Sequence, residues 1–569
     1  MHNVVIIGGM AAACKAAARL SRLSSDYAVT IVERSSFISF SSCGLPLFAS
    51  GEADGISDLA RTSYGAIRDE EYFSEVKRVK VLTKTEVIEI RAGKKEVICR
   101  TVGTADSFVL PYDSLIFATG SEAVKPRISF ARSPLISSFH SPDDAEKFRV
   151  AAQKGNIQHA AVIGGGFVGC ELIEAMTTFW GIDIVLIEKE ATLLPASLDP
   201  ELSLYLESRI PSDKIRLLLS TTVDSIALND AGCPVVSLDD GRQIAADQVF
   251  YSLGVSPSTE LAGKSGVRLG KHGGILVDRP LRTNVGDIWA AGDCAEVMNL
   301  VTDTTDVFPF GSISNRMGRA AADSISDREA SFIGAVGTFS LKLFDNIICA
   351  TGLTEAKARG LGYETGSVIG CWSDRPDYNP DAKLLFGKLV YEQSSLRLLG
   401  LQLLGEGEVT RYIDVFSELL SERKTVEALA DLEHGYTPAH SSPLSPLNYL
   451  GYMACDQEVD GIRNFSPLHV PLFDGIFIDV RDPAEAESFP FMEKAINIPL
   501  ADLSKRLGDF DPKRSLMFVC ERGTRGYEAA RLFRLNGHSN VSYLGGGNLL
   551  YSKIKSRMSA RPLVRRAAS

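Results

Sequence analysis

A chain of 569 residues, 45% of them hydrophobic, is long enough for three or four domains that each bury a core. Its net charge of −11 argues against nucleic acid as the general partner. No uninterrupted apolar run reaches the ~20 residues of a membrane span, so a cytoplasmic protein without membrane attachment is expected. Ten cysteines lie scattered without C-x-x-C pairs or metal-ligand spacing, which supports neither a metal site nor a disulfide framework.

The opening MHNVVIIGG is apolar like a signal peptide but has no basic n-region and runs straight into glycines, so residues 4–8 read as a buried first strand. A helix from about Ala11 to Ser24 and the strand AVTIVE, ending in Glu33, complete a β-α-β unit. The spacing from Gly8 to Glu33 suits an acidic side chain reaching a ribose hydroxyl while the helix N-terminus faces a pyrophosphate. The glycine pattern is imperfect: Gly8 and Gly9 are present, but Met10 and Ala13 stand at the second and third glycine positions, with small Ala11 and Ala12 between. Lys15, Arg19 and Arg22 fall at i, i+4 and i+7 on this helix as one basic face, whose plain reading is a solvated surface.

Cys43 follows in Ser39-Phe-Ser-Ser42-Cys43-Gly-Leu-Pro, with no second cysteine near it. The proline three residues on suits the first turn of a helix, and a helix N-terminus lowers a nearby thiol pKa, supplying a thiolate. The segment YDSLIFATG, carrying Thr119 and Gly120, reads as a returning strand. AAVIGGGFVGCELIEA then sets Gly164, Gly166 and Gly169 between a strand and a helix, a full dinucleotide fingerprint. The next strand ends at Glu188, which would accept hydrogen bonds from a 2′-hydroxyl and repel a 2′-phosphate; NADH is favoured, and Lys189 leaves NADPH open. DIWAAGDCAEV carries the pair Gly292-Asp293.

From about Phe332 alternating strand patterns are joined by a Glu-Lys-Arg helix, followed by an irregular Pro/Ser-rich segment containing Tyr436 and Leu444. Beyond about Asp456, strand-helix alternation over roughly a hundred residues indicates a small α/β domain. In it Cys520 ends the strand SLMFV, and Glu521, Arg522, Gly523, Thr524 and Arg525 form a loop whose backbone N–H groups can wrap the sulfur. The two arginines add positive charge and the glycine permits the tight curl. The final SKIKSRMSARPLVRRAAS is expected as a frayed basic tail, or alternatively as a tether to an anionic partner.

Two dinucleotide units with these returning strands, the lone Cys43 motif, and the words DVRDP, AINIPL and CERGTR resemble, over essentially the whole chain, the single-cysteine pyridine nucleotide-disulfide oxidoreductases. The type resembled is the coenzyme A-disulfide reductase–rhodanese fusion, also described as persulfide or polysulfide reductase. The resemblance implies an α/β chain with two Rossmann-like, glutathione reductase-like domains, an α+β dimerisation domain and a C-terminal α/β rhodanese domain. Expected boundaries are 1–123 and 255–330 for FAD, 124–254 for NAD(P)H, 331–455 for dimerisation, 456–552 for rhodanese and 553–569 for the tail.

The same resemblance assigns FAD to Gly8, Gly9, Met10, Ala11, Ala13, Glu33, Ser42, Thr119, Gly120, Gly292 and Asp293. NAD(P)H is assigned to Gly164, Gly166, Gly169, Glu171, Glu188 and Gly254, with Phe167 as a lid over the nicotinamide pocket. Cys43 is implied as the redox-active cysteine, Cys520 as the sulfur carrier, and Tyr378 and Tyr436 as groups that stabilise the leaving thiolate, Tyr436 from the partner subunit of a homodimer. Lys15, Arg19, Arg22, Ser39 and Ser42 would hold coenzyme A. Leu444 departs from the family's basic residue, which puts coenzyme A specificity in doubt. The implied activity is NAD(P)H-dependent cleavage of persulfides or polysulfides. Rivals are coenzyme A-disulfide reduction, NADH oxidase or peroxidase activity, which Ala11 disfavours where peroxidases carry histidine, and a non-enzymatic redox sensor or sulfur carrier.

Overall fold

The computed structural model describes residues 1–492, 494–559 and 561. They form two units: Met1–Ile187 with Asp213–Ala335, and Glu188–Ser212 with the described residues from Val336 on.

The first unit is built on two parallel five-stranded sheets. One runs in the order Ile288–Ala290, Ser114–Phe117, His2–Ile7, Tyr27–Val32, Lys80–Leu82. The other runs Ile136–Ser137, Gln248–Tyr251, His159–Ile163, Asp183–Ile187, Ile215–Leu218. Val4 to Ile7 and Ala160 to Ile163 are buried throughout, as strands covered on both faces must be, which is why they read as unbroken apolar runs. Helix Ala11–Leu23 buries Ala12, Ala13, Ala16, Ala17 and Leu20, a face of small residues. It meets helix Gly311–Ile325 so closely that a Cβ on Gly318 would lie 2.3 Å from the Ala12 carbonyl oxygen. Strands Ser121–Ala123 and Val255–Pro257 pair antiparallel where the chain passes between the two sheets.

The second unit holds a five-stranded antiparallel sheet in the order Phe339–Leu343, Asn346–Gly352, Leu398–Gly405, Leu384–Glu392, Thr365–Ser373. It also holds a parallel sheet in the order Arg463–Phe465, Val541–Leu544, Leu516–Val519, Ile476–Asp479, Ile496–Asn497. Helix Pro446–Val459 serves both: Glu458 accepts from the Tyr391 hydroxyl at 2.8 Å, and Asp456 from the Tyr527 hydroxyl at 2.7 Å. It runs straight through positions 455 and 456, where the sequence suggested a domain boundary.

Residues 188–212, expected within the nucleotide domain, pack in the second unit. Their buried Asp199 and Glu201 lie 3.5 and 2.9 Å from the Lys388 ammonium, which also meets Glu355 at 2.8 Å. The expected frayed tail is in part a correction: residues 553–559 complete helix Gly547–Ser559. Leu550, Ile554 and Met558, four apart, are buried, and Arg561 reaches Glu207 at 2.6 Å. Position 560 and positions 562–569 of that tail lie outside the described residues.

Candidate active site

Cys43 sits in a one-turn 3-10 segment, Ser42–Gly44, leading into the six-residue helix Leu45–Ser50, with Pro46 in its first turn as expected. Leu45, Phe48 and Ala49 anchor the helix inward. Its far end is tied by the Trp180 indole N–H to the Ala49 carbonyl at 2.8 Å, and by Arg149, which donates to the Phe48 and Ala53 carbonyls at 3.2 and 2.6 Å. So pinned, the helix presents Cys43 on an exposed turn.

The expected lowering of its thiol pKa is corrected. Partial burial, then the carboxylates of Glu171 and Asp293, push the thiol above the ordinary cysteine value, and the Ser42 hydrogen bond offsets them only in part. A helix of six residues contributes too little dipole to reverse this. Glu171 itself is pushed up to about 7, first by burial and then by Glu174. The fold thus brings both Glu171 and Asp293 within electrostatic reach of Cys43.

The imperfect first glycine turn works because only two positions demand glycine. Gly8 has φ +112°, and a Cβ there would lie 2.1 Å from the Ala118 carbonyl; one on Gly9 would lie 2.9 Å from Glu33 Cγ. Met10 caps the helix with extended backbone and no side-chain hydrogen bond, and the first helical turn carries no acidic residue. This cradle fits a pyrophosphate, and with buried Glu33 at the strand end it fits FAD. Asp293 is held by hydroxyl donors, Ser314 at 2.7 Å and Ser121 at 3.1 Å, beside Gly292 at φ +87°. Gly120 takes φ +65°, and the Thr119 hydroxyl donates to the Ser258 carbonyl at 2.6 Å.

The second glycine turn has the same form. A Cβ on Gly164 would lie 2.1 Å from the Ser252 carbonyl oxygen, one on Gly169 2.0 Å from the Gly164 carbonyl oxygen, and Gly166 faces open space at the head of helix Phe167–Trp180. These residues fit a dinucleotide. Glu188 is buried, and its carboxylate accepts from the Glu190 N–H at 2.8 Å. Gly254, at φ +91°, accepts from the Val124 N–H in the crossing ribbon. The Phe167 ring packs edge-on to Phe310 at 6.4 Å.

Of the residues expected to hold coenzyme A, two are engaged within the chain. Arg19 is bound to Asp323 at 2.6 Å, and Ser39 is buried with its N–H on the Gly9 carbonyl. Lys15 is half-buried, while Arg22 and Ser42 are exposed.

In the second unit Cys520 ends strand Leu516–Val519 and is 2% exposed. Its sulfur accepts from the Gly523 N–H at 3.1 Å, and Gly523 takes φ +110°, the left-handed region that glycine adopts without strain. Thr524 opens helix Thr524–Leu535. Arg522 and Arg525, expected to add positive charge, are each paired with a carboxylate. Arg522 donates to both Asp377 oxygens at 2.9 and 3.0 Å and to the Ser373 hydroxyl at 3.2 Å; Arg525 forms a two-pronged pair with Glu485 at 2.8 and 2.6 Å. Sequence reasoning missed Asp377, Glu485 and the buried Cys371, whose thiol lies within electrostatic reach of Cys520 and Arg522 and is pushed up to about 12, chiefly by burial.

Tyr378 and Tyr436 are 75% and 50% exposed. Their loops are joined: the Asn379 amide donates to the Pro438 carbonyl at 3.1 Å, and Arg375 to the Ala439 carbonyl at 3.4 Å. Leu444 is exposed. Among the described residues no cluster of side chains could hold a metal ion, and no helix is long and apolar enough to cross a membrane.

Three families match the chain: pyridine nucleotide-disulphide oxidoreductase over residues 2–306, its dimerisation domain over 339–445, and a rhodanese-like domain over 467–553. An NAD(P)H coenzyme A polysulfide/persulfide reductase of Pyrococcus horikoshii is 30% identical over 445 residues, covering 78% of this chain and 96% of its own. The solved NAD-dependent persulfide reductase of A. fulgidus is 33% identical, with a TM-score of 0.90 over 96% of this chain and 100% of that one. The reduced CoADR-RHD of Bacillus anthracis is 30% identical, with a TM-score of 0.91 over 98% of each chain. These families imply FAD and NAD(P)H as cofactors, in keeping with the two glycine cradles. The chain belongs to the pyridine nucleotide-disulphide oxidoreductases, with their dimerisation domain and a C-terminal rhodanese-like domain.

Proposed function

We propose that this flavoprotein reduces sulfane sulfur, cleaving the S–S bond of persulfides or polysulfides at the expense of NAD(P)H and releasing hydrogen sulfide. The observation that carries the reading is the pair of separate sulfur sites: an exposed Cys43 at the head of a pinned helix and a cradled Cys520 on a rhodanese-like loop. When bound, FAD supplies the two-electron link between NAD(P)H and sulfur. Glu33 and Asp293 hold and orient it, and Phe167 covers the nicotinamide pocket.

The Cys43 thiolate attacks the sulfane sulfur of R–S–SH, expelling RS⁻ and leaving the sulfur on Cys43 as a persulfide. Two electrons and one proton then release it as hydrogen sulfide and restore the Cys43 thiolate, while a second proton goes to RS⁻, so that R–S–SH, NADH and H⁺ give RSH, H₂S and NAD⁺. Tyr378 and Tyr436, exposed on linked loops, protonate the leaving thiolate, Tyr436 from the partner subunit of a homodimer. Cys520 accepts sulfane sulfur from a donor and hands it on to a thiol carrier, coenzyme A among the candidates. The A. fulgidus and P. horikoshii relatives support this substrate class.

The test is anaerobic NADH consumption by the FAD-loaded protein with polysulfide, coenzyme A persulfide or coenzyme A disulfide as acceptor. Fast turnover with the first two, lost in Cys43→Ser, is the expected result. Preference for coenzyme A disulfide would replace the reading with disulfide reduction, and activity surviving Cys43→Ser would remove the mechanism.

A further inference from the structure

The loop that follows Cys520 holds two guanidinium groups, and each is already matched by a carboxylate. Arg522 is met by Asp377 at 2.9 Å and Arg525 by Glu485 at 2.6 Å. Glu521 adds a third carboxylate within electrostatic reach of both loop arginines. Two positive and three negative groups leave the loop net negative before the Cys520 thiolate is counted. Asp377 and Glu485 come from different elements, one from the loop after strand Thr365–Ser373 and one from helix Pro483–Ser488. Glu485 meets both terminal nitrogens of Arg525, and Asp377 sets both oxygens on Nη1 of Arg522, so each guanidinium has a carboxylate where an oxyanion would otherwise dock.

We propose that Asp377 and Glu485 set the donor specificity of the Cys520 loop: by occupying Arg522 and Arg525 they select sulfane sulfur carried on a thiol and turn away oxyanion-terminated donors such as thiosulfate. The inference rests on the reading of Cys520 as a sulfur acceptor and names the class of donor it accepts. In the favoured reaction the Cys520 thiolate attacks the outer sulfur of R–S–SH; the S–S bond breaks, RS⁻ departs with one negative charge, and Cys520 carries the persulfide. With thiosulfate the same attack breaks the bond to the sulfonate and must bring in one dianion and release another, sulfite. A doubly charged donor and leaving group in a net negative, partly enclosed loop is opposed at both steps. Any carrier phosphates on a thiol such as coenzyme A lie far along the arm from the reacting sulfur and are screened by solvent.

Both ion pairs are partly exposed, with side chains between 30% and 66% accessible, so they add little to stability and can be neutralised without unfolding the domain. The experiment measures thiocyanate formation from cyanide by the FAD-loaded full-length protein, with thiosulfate or glutathione persulfide as donor, for wild type, Asp377→Asn, Glu485→Gln and Cys520→Ser. NADH-linked sulfide release is followed in parallel. The wild type is expected to prefer the persulfide by roughly ten-fold or more in kcat/KM, and each neutral variant to gain on the order of ten-fold with thiosulfate through KM, with little change for the persulfide.

A general disturbance of the loop, or a shifted Cys520 thiol, would move both donors together and would overturn the inference. So would a wild type that uses thiosulfate as well as the persulfide. Transfer from neither donor, with sulfide release intact, would remove Cys520 as a sulfur acceptor and the inference with it, leaving the reductase standing. Donor selection without NADH-linked sulfide release would sink the reductase reading and leave this one in place.

Discussion

Cys43 illustrates how a local motif can misjudge the electrostatics of a thiol. Proline in the first helical turn was legible in Cys-Gly-Leu-Pro, and the helix forms. The thiol nevertheless titrates above the ordinary value, because partial burial and two carboxylates, Glu171 and Asp293, more than 120 positions along the chain, act on it. Nothing local in the sequence announces those neighbours. Since Glu171 itself ionises near pH 7, it is neutral in acid and adds its charge as pH rises, which opposes thiolate formation in the range where thiolate is needed. Removing that charge lowers the Cys43 pKa. In Glu171→Gln the pH profile of Cys43 alkylation, followed by peptide mass mapping, is expected to move toward acid by on the order of one pH unit. The two proteins should react alike below about pH 6, where the carboxyl is protonated. An unchanged or alkaline-shifted profile would refute the electrostatic coupling.

Among the elements, the two nucleotide-binding turns were legible for a physical reason: parallel strands covered on both faces must be continuously apolar, and glycine must stand where a Cβ would strike backbone oxygen, as at Gly8 and Gly164. Elements whose place depends on distant partners were not. Segment 188–212 reads as a continuation of the nucleotide domain, yet Asp199 and Glu201 are buried around Lys388, almost 190 residues on. The last helix was missed because its lysines and arginines masked the four-residue spacing of Leu550, Ile554 and Met558. The Lys388 cluster gives a direct test. Lys388→Met would leave Asp199, Glu201 and Glu355 buried without their shared cation, and is expected to destabilise the unit by about 3–5 kcal/mol, read as a lowered chemical-denaturation midpoint. A midpoint equal to wild type would show that these carboxylates find other partners.

At the scale of the whole molecule, the chain joins a pyridine nucleotide-disulphide oxidoreductase and a rhodanese-like domain in one polypeptide. The domain classes were legible end to end, since each brings its own short words: two glycine fingerprints, the lone cysteine, and the CERGTR loop. The finer chemistry was less so. Arg522 and Arg525 read as added positive charge, and only the fold brings Asp377 and Glu485 onto them. The loops that carry exposed Tyr378 and Tyr436 are far apart in the sequence, and only the fold joins them by hydrogen bonds.

The most direct test of the central claim is the stoichiometry of hydrogen sulfide released to NADH oxidised, measured without oxygen in the FAD-loaded protein with glutathione persulfide or polysulfide as acceptor, alongside Cys43→Ser. Cleavage of sulfane sulfur at Cys43 requires one sulfide per NADH and the loss of both signals in the variant. NADH oxidised without sulfide, or sulfide still released by Cys43→Ser at the wild-type rate, would contradict it.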